Sequence, residues 1–185
     1  MASGSPSFVV TLPLKTTPAD ERACGIALDA ARQIYNAVLG EALRRLDRMR
    51  QSKEFAAARQ MPKGAPSSKE RKARAAEFNR LRETFDLTPG SLQRFAQSCR
   101  DQCWIGDHLP GHCCQTAATR AFKTIEAYAF GIRRRPKFRR KDNFNSIEGK
   151  EPKSTIIWRD GAVRFAGMVL PAIIDPENAW AKSKR

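Results

Sequence analysis

Near its carboxyl end the chain reads Thr155-Ile156-Ile157-Trp158-Arg159-Asp160-Gly161-Ala162-Val163-Arg164-Phe165. Two runs of β-branched and aromatic residues flank Asp160-Gly161, a dipeptide favoured in two-residue type I′ turns because both central residues need positive φ. The stretch therefore predicts a β-hairpin. Gly167 separates this hairpin from a further short strand, Met168 to Leu170.

Helix-forming sequence fills most of the chain before this hairpin. Thr17 predicts an N-cap, with Pro18 in the first helical position and Asp20 and Glu21 in the first turn. Apolar residues then recur three or four apart, as on one helical face; they are Ile26, Ala30, Ile34, Ala37, Val38, Leu43 and Leu46. Prolines and glycines interrupt the pattern three times. Three further helices are predicted, from about Lys69 to Phe85, from about Leu92 to Trp104 and from about His112 to Phe130.

The order of elements predicts an α+β fold. Phe8 to Leu14 is a short β-rich run, and we expect it to complete the later sheet across the inserted helices. We divide the chain into residues 1–16 as the first strand, 17–131 as a four-helix insertion, and 132–185 as the remaining strands with a basic tail.

The charge of the chain points to a polyanionic partner. Its 185 residues include 34 Lys and Arg but only 19 Asp and Glu, for a formal net charge of +15. Lys and Arg that neutralise phosphates release condensed counterions, so nucleic acid is the first expectation. The five cysteines are odd in number and lie in helical patterns, which indicates reduced thiols. Together with the lack of a long apolar stretch or a basic leader, this predicts a cytoplasmic protein without a membrane partner.

The densest cluster of charge is residues 133–141, Arg-Arg-Arg-Pro-Lys-Phe-Arg-Arg-Lys, which we call the basic segment. It contains no acidic residue, and Arg offers forked donors that match phosphate oxygens. In a strand, Lys137, Arg139 and Lys141 would line one surface. The segment predicts contact with nucleic acid, and the alternative is a flexible basic linker.

A second basic region lies on the predicted helices and contains some acidic residues as well. Ordinary solvation of a helix surface and phosphate contact are equal alternatives for this region. Its basic residues are Arg44, Arg45, Arg48, Arg50, Lys53, Arg59, Lys69, Arg71, Lys72 and Arg74.

The sequence predicts no metal, cofactor or catalytic site. Cys99-x3-Cys103-x4-His108-x3-His112 superficially resembles a zinc site, but its spacing differs from the familiar short motifs, and both cysteines lie on an apolar helix face. No Walker loop, dinucleotide fingerprint or Ser-His-Asp grouping is present. Four acidic residues lie in the β-rich part and are assigned no catalytic role; they are Asp142, Glu148, Asp160 and Asp175. Asp142 belongs to the basic run, Asp160 serves a turn and Asp175 precedes a proline.

Three motifs in order resemble the amino-terminal half of TnpB-type transposon nucleases and the related type V CRISPR effectors. After the early strand, one helix carries Ile34-Tyr35-Asn36-Ala37, and a later one carries Gln115-Thr116-Ala117-Ala118-Thr119-Arg120-Ala121-Phe122-Lys123. Arg134-Arg135-Pro136-Lys137-Phe138-Arg139 then resembles the Arg-Pro-Arg-Phe-Lys-like segment of that family. Ser146-Ile147-Glu148-Gly149 stands where the family begins a short strand.

The resemblance implies an RNA-guided DNA-binding module. In that family a small β-barrel, the wedge domain, is interrupted by an inserted helical recognition domain, and the two hold the guide RNA and the target DNA. The protein reads shape and backbone charge while base pairing reads sequence. By the resemblance, the residues expected to contact nucleic acid are Arg133, Arg134, Arg135, Lys137, Phe138, Arg139, Arg140 and Lys141, together with Arg120 and Lys123. Phe138 would either stack on a base or pack in the barrel.

The resemblance does not extend to the family's RuvC-like nuclease domain, since the chain stops where that domain should begin. We therefore expect no cleavage by this chain. One alternative is a non-guided helix-turn-helix regulator or transposase accessory protein using helices between Ser91 and Phe130, although no clear reading face is evident there. Another is a protein-interaction module whose charge serves only solubility.

Overall fold

The computed structural model describes residues 9–151 and 154–174, which form an α+β fold dominated by helices. Within these ranges six helices precede a three-stranded sheet. The helices are α1 (Pro18–Gln51), α2 (Lys53–Gln60), α3 (Lys69–Thr84), α4 (Pro89–Asp101), α5 (Ile105–His108) and α6 (Gly111–Ala129). The strands are β1 (Ile156–Arg159), β2 (Ala162–Phe165) and β3 (Met168–Pro171).

Local signals define the helix ends well. Thr17 caps α1, accepting a hydrogen bond from the Asp20 N–H while the Asp20 carboxylate accepts one from the Thr17 N–H. The same bond lowers the pKa of Asp20. α6 ends at Ala129, close to the predicted Phe130, and Gly131 follows with a φ of +73° that favours glycine. Two details differ from the sequence-based prediction: Ser52 ends α1 and caps α2, and the short α5 follows α4.

The helical core is built around α1, which packs against α4, α5 and α6. Small residues on α6, Ala117, Ala118 and Ala121, are buried and let the two long helices approach closely. Two positions assigned to the buried face of α1, Ile26 and Ala37, are instead exposed. The buried cluster continues from the helices to Phe144 and Phe165, so the sheet packs on the helical part.

The predicted hairpin is confirmed. β1 and β2 pair antiparallel, with Asp160 at φ +53° and Gly161 at φ +73° in the turn. β3 pairs with β2, giving the order β1-β2-β3. Among the described residues the sheet is open, and no closed barrel is shown.

The predicted first strand is reduced to one bridge, between Leu14 and Ala172. Residues 9–13 have no strand pairing, and Phe8 lies outside the described residues. Hydrogen bonds from Lys15 N to Pro171 O (2.7 Å) and from Ile173 N to Pro13 O (2.8 Å) flank the bridge. The start of the described chain therefore does lie beside β3, but Pro13 has no N–H with which to extend the pairing.

Candidate nucleic-acid interface

The basic segment leaves α6 at Gly131 and has no regular secondary structure until a 3-10 turn at Lys141–Asn143. The prediction that strand geometry would align Lys137, Arg139 and Lys141 is therefore wrong. Every residue of the segment is exposed except Pro136, which is half-buried. Its position comes from tertiary contacts instead.

The basic segment lies along α1 in the opposite chain direction. Asn36 holds it at Arg139: the Asn36 amide donates to the Arg139 carbonyl (2.9 Å), and the Arg139 N–H donates to Asn36 Oδ1 (2.8 Å). Further along α1, the Phe138 ring lies over Gly40, and Arg135 pairs with Asp47 at 3.0 Å. Contacts at three levels of α1 thus order an otherwise irregular chain.

The segment is only partly neutralised. Arg135 pairs with Asp47, and Arg140 lies 3.6 Å from the Asp142 carboxylate. The remaining arginines and lysines of the segment form no ion pair with any carboxylate of the described residues; they are Arg133, Arg134, Lys137, Arg139 and Lys141. Burial alone would raise the pKa of Asp29, but hydrogen bonds from Gln33 and Arg32 outweigh this effect and lower the pKa. Lys141 adds a smaller lowering.

Phe138 is 61% exposed, and its ring lies at the surface of α1. The expectation that it packs inside a barrel is not met, because its neighbour is Gly40 of a helix. An exposed ring between cations leaves a face open for stacking on a base, which is the other role considered for this residue.

Arg120 and Lys123, both on α6, lie near the basic segment. They line a polar cavity of about 390 Å³ together with Arg139. Arg120 has structural contacts there: its guanidinium lies 5.0 Å from the Phe144 ring centroid and donates to the Ser146 carbonyl at 2.9 Å. Residues 146–149, expected to begin a strand, instead run along α6 without strand pairing. Lys123 is exposed.

The second basic region divides into two parts. Arg44 and Arg45 both pair with Glu41, whose pKa is lowered because their hydrogen bonds outweigh the effect of burial. Arg50 and Arg74 instead lie over the rings of Tyr128 and Phe78, at 4.9 and 5.0 Å from the centroids. The Arg74–Phe78 spacing of four residues on a helix is visible in the sequence, whereas no local pattern links Arg50 to Tyr128.

The cysteines and histidines are dispersed. Cys113 is buried, His112 hydrogen-bonds to Ser154 (2.7 Å), and the Cys103 thiol donates to the Cys99 carbonyl (3.1 Å). No group of three potential metal ligands occurs among the residues that the structure describes. All five cysteines are free thiols, as expected.

The structure also describes acidic residues considered as catalytic candidates. Asp142, Glu148 and Asp160 each form an ion pair with an arginine, and Asp160 occupies the hairpin turn. Asp175 lies outside the described residues.

Over the described ranges, no helix has the length and apolar character needed to span a bilayer.

Comparison of the chain with protein families, with curated proteins and with solved structures gives no match.

Proposed function

We propose that this chain is a nucleic-acid-binding module of the kind found in RNA-guided DNA-targeting proteins, similar to the amino-terminal half of TnpB-type nucleases and type V CRISPR effectors. The observation that carries the proposal is the basic segment held along α1 with unpaired cations on its exposed side. A flexible linker, the alternative, needs no such attachment.

Attachment along α1 favours binding for a physical reason. A chain that is already ordered loses less conformational entropy when it meets its ligand. Its arginine forks then match phosphate oxygens, and the exposed Phe138 ring offers a face to an unstacked base. These contacts recognise backbone and stacking rather than base sequence, which suits a protein whose specificity comes from a guide RNA.

In this proposal, residues 17–131 are a recognition-like helical insertion, and residues 1–16 with 132–185 belong to a small wedge-like barrel. The bridge between Leu14 and Ala172 supports this division, because it joins the two flanking segments across the helices. The chain binds guide RNA and target DNA in the cytoplasm and does not itself cleave them. The pairing of Asp142, Glu148 and Asp160 with arginines favours binding over catalysis.

The covered outer face of α6 favours this proposal over a helix-turn-helix regulator. One face of α6 packs against α1 and α4, and on the other side Thr116 donates to the Glu148 carbonyl and Arg120 to the Ser146 carbonyl, so residues 146–148 lie over it. A recognition helix needs an exposed face that enters the major groove.

Two variants with equal loss of charge test the proposal. The segment variant replaces Arg133, Arg134, Lys137 and Arg139 with Gln. The matched control replaces four exposed basic residues on the helices with Gln: Arg48, Lys53, Lys69 and Lys72.

We expect RNA to copurify with the wild-type protein and with the matched control, and to be largely lost from the segment variant. Extraction, quantification and sequencing of the RNA give the result, and thermal melting checks that each variant folds. If the two variants retain the same amount of RNA, whether high or low, the basic segment matters no more than other surface charge. That result would contradict the proposal.

A further inference from the structure

A second feature of the structure is a cavity of about 650 Å³ between α3 and the ends of α1 and α6, which we call the apolar cavity. Buried core residues form its floor, including Leu46, Phe122 and Ile125. Phe55 and Phe78, which pack edge to face with ring centroids 5.7 Å apart, form one side. Its size falls in the usual range for pockets that enclose small organic groups, roughly 300–1,000 Å³.

The rim of the apolar cavity is strongly basic. Among the described residues that line it, Glu126 is the one acidic residue, and this carboxylate is already paired with Arg82 at 3.0 Å. The other basic residues of the rim form no ion pair with a carboxylate of the described residues; they are Arg50, Arg59, Lys63, Arg71 and Arg74. An anionic group at the mouth of the cavity is therefore favoured by charge.

Arg74 adds a polar group without a partner. Its Nε is buried and makes no hydrogen bond with the protein. A buried donor without a partner is unfavourable, so the Arg74 side chain is not fully satisfied by the protein itself. The Arg74 guanidinium also lies against Phe78, which places this donor beside an aromatic wall of the cavity.

The apolar cavity is continuous with the basic segment. Arg50 on its rim donates to the Tyr128 hydroxyl at 3.2 Å, and Arg135 of the segment acts with Arg50, whose effect is the larger, to lower the pKa of Tyr128. Phe130, which lines the cavity and is 68% exposed, is separated from the segment by only two residues. A strand whose phosphates follow the segment thus passes the mouth of the cavity.

We propose that the apolar cavity receives an unstacked nucleobase from single-stranded RNA bound along the basic segment. A base has apolar faces for the aromatic walls and edge acceptors for the Arg74 guanidinium, which has no carboxylate partner among the described residues, and its attached phosphate suits the basic rim. This inference rests on the proposed function, since the same RNA occupies both sites. An acidic peptide with an apolar side chain is the competing occupant.

Two alanines of α3 supply the test. Ala75 lines the cavity and is exposed, so Ala75→Trp fills the cavity without changing charge. Ala76 is exposed on the same helix and does not line the cavity, which makes Ala76→Trp the matched control. Thermal melting verifies that both variants fold.

The probes are a ten-nucleotide single-stranded RNA and the same backbone with abasic sites. Every protein compared here, the wild type included, also carries Phe138→Ala, so that stacking on this exposed ring does not contribute to the difference between the strands. We expect the wild type and Ala76→Trp to bind the base-containing strand about tenfold more tightly, as one stacked base supplies. Ala75→Trp should bind the two strands equally. A tenfold preference that persists in Ala75→Trp would overturn the inference.

Other outcomes separate the inference from the proposed function. If the wild type binds both strands equally well, the cavity holds no base while the proposed function stands. If it binds neither strand even at low salt, the proposed function itself fails. Binding of a glutamate-rich peptide that Ala75→Trp abolishes, with no preference between the RNA strands, would assign the cavity to a peptide and overturn the inference.

Discussion

Removal of the Asn36 side chain should release the basic segment from α1 without unfolding the protein. Asn36→Ala leaves the longer hydrogen bond from Arg32 to the Arg139 carbonyl, at 3.4 Å, and deletes the two hydrogen bonds that Asn36 makes with the Arg139 backbone. Each contributes about 0.5–1.5 kcal/mol net, and the lower part of that range applies because the bonds are solvent-exposed, so docking should weaken by about 1–2 kcal/mol. Alanine is also the better helix former, which offsets part of the loss within α1.

Asn36→Ala should change the local stability of the docked segment but not the global stability of the fold. We expect the exchange rate of the Arg139 amide hydrogen to rise at least about tenfold, because the variant removes Asn36 Oδ1, which accepts from this amide, and weakens docking of the segment. The melting temperature should stay close to that of the wild type. Affinity for RNA should fall, since the segment must then be ordered on binding.

Amide hydrogen exchange followed by NMR measures the change at Arg139, and Gln33→Ala is the control. Gln33 lies three residues before Asn36 on α1 and donates to Asp29 rather than to the segment. Unchanged exchange at Arg139 and unchanged RNA affinity in Asn36→Ala would refute the argument that this contact orders the segment.

Two further predictions concern helix packing and buried thiols. An alanine Cβ at Gly40 would lie 3.5 Å from the Phe138 ring, an ordinary contact, so Gly40→Ala should raise the free energy of unfolding by up to about 1 kcal/mol. A lower melting temperature for this variant would contradict the described packing. Burial raises the pKa of Cys113 to about 11. Burial is also the largest of several causes that raise the pKa of Cys114 to about 12. Both thiols should resist iodoacetamide at pH 8 while the exposed Cys103 reacts. The free energy of unfolding should fall above pH 9.0, where thiols of the unfolded chain ionise and the buried thiols do not. Equal labelling of the three cysteines by mass spectrometry would contradict their described burial.

Turns and helix ends were predictable because neighbouring residues determine them. Asp160-Gly161 has the positive φ values that its turn needs, and Thr17 with Asp20 forms a cap within four residues. The second turn was only partly evident, since Ala166 takes a φ of +47° that alanine rarely adopts.

The contacts that order the candidate site were not predictable from local patterns. Asn36 and Arg139 are 103 residues apart, and Arg50 and Tyr128 are 78 apart. In the sequence Asn36 stands out only as part of the Ile34-Tyr35-Asn36-Ala37 motif, and nothing local links it to the basic segment. Its role appears only when the packing of α6 on α1 brings the basic segment alongside it.

The apolar cavity likewise depends on packing. Phe55 and Phe78 belong to different helices, and helical spacing alone assigns such residues to a closed core. The open space arises because α3 packs chiefly against α2 and leaves a gap beside α1 and α6.

The central claim is that the basic segment contacts phosphates, and the salt dependence of RNA affinity tests it most directly. Four cations without ion pairs, at about 0.7 per contact for single strands, should contribute about 3 to the slope of log affinity against log salt. The segment variant, with Gln at Arg133, Arg134, Lys137 and Arg139, should therefore show a slope about 3 shallower than the wild type, and a shallower slope than the matched control. A slope equal to that of the wild type would contradict the account.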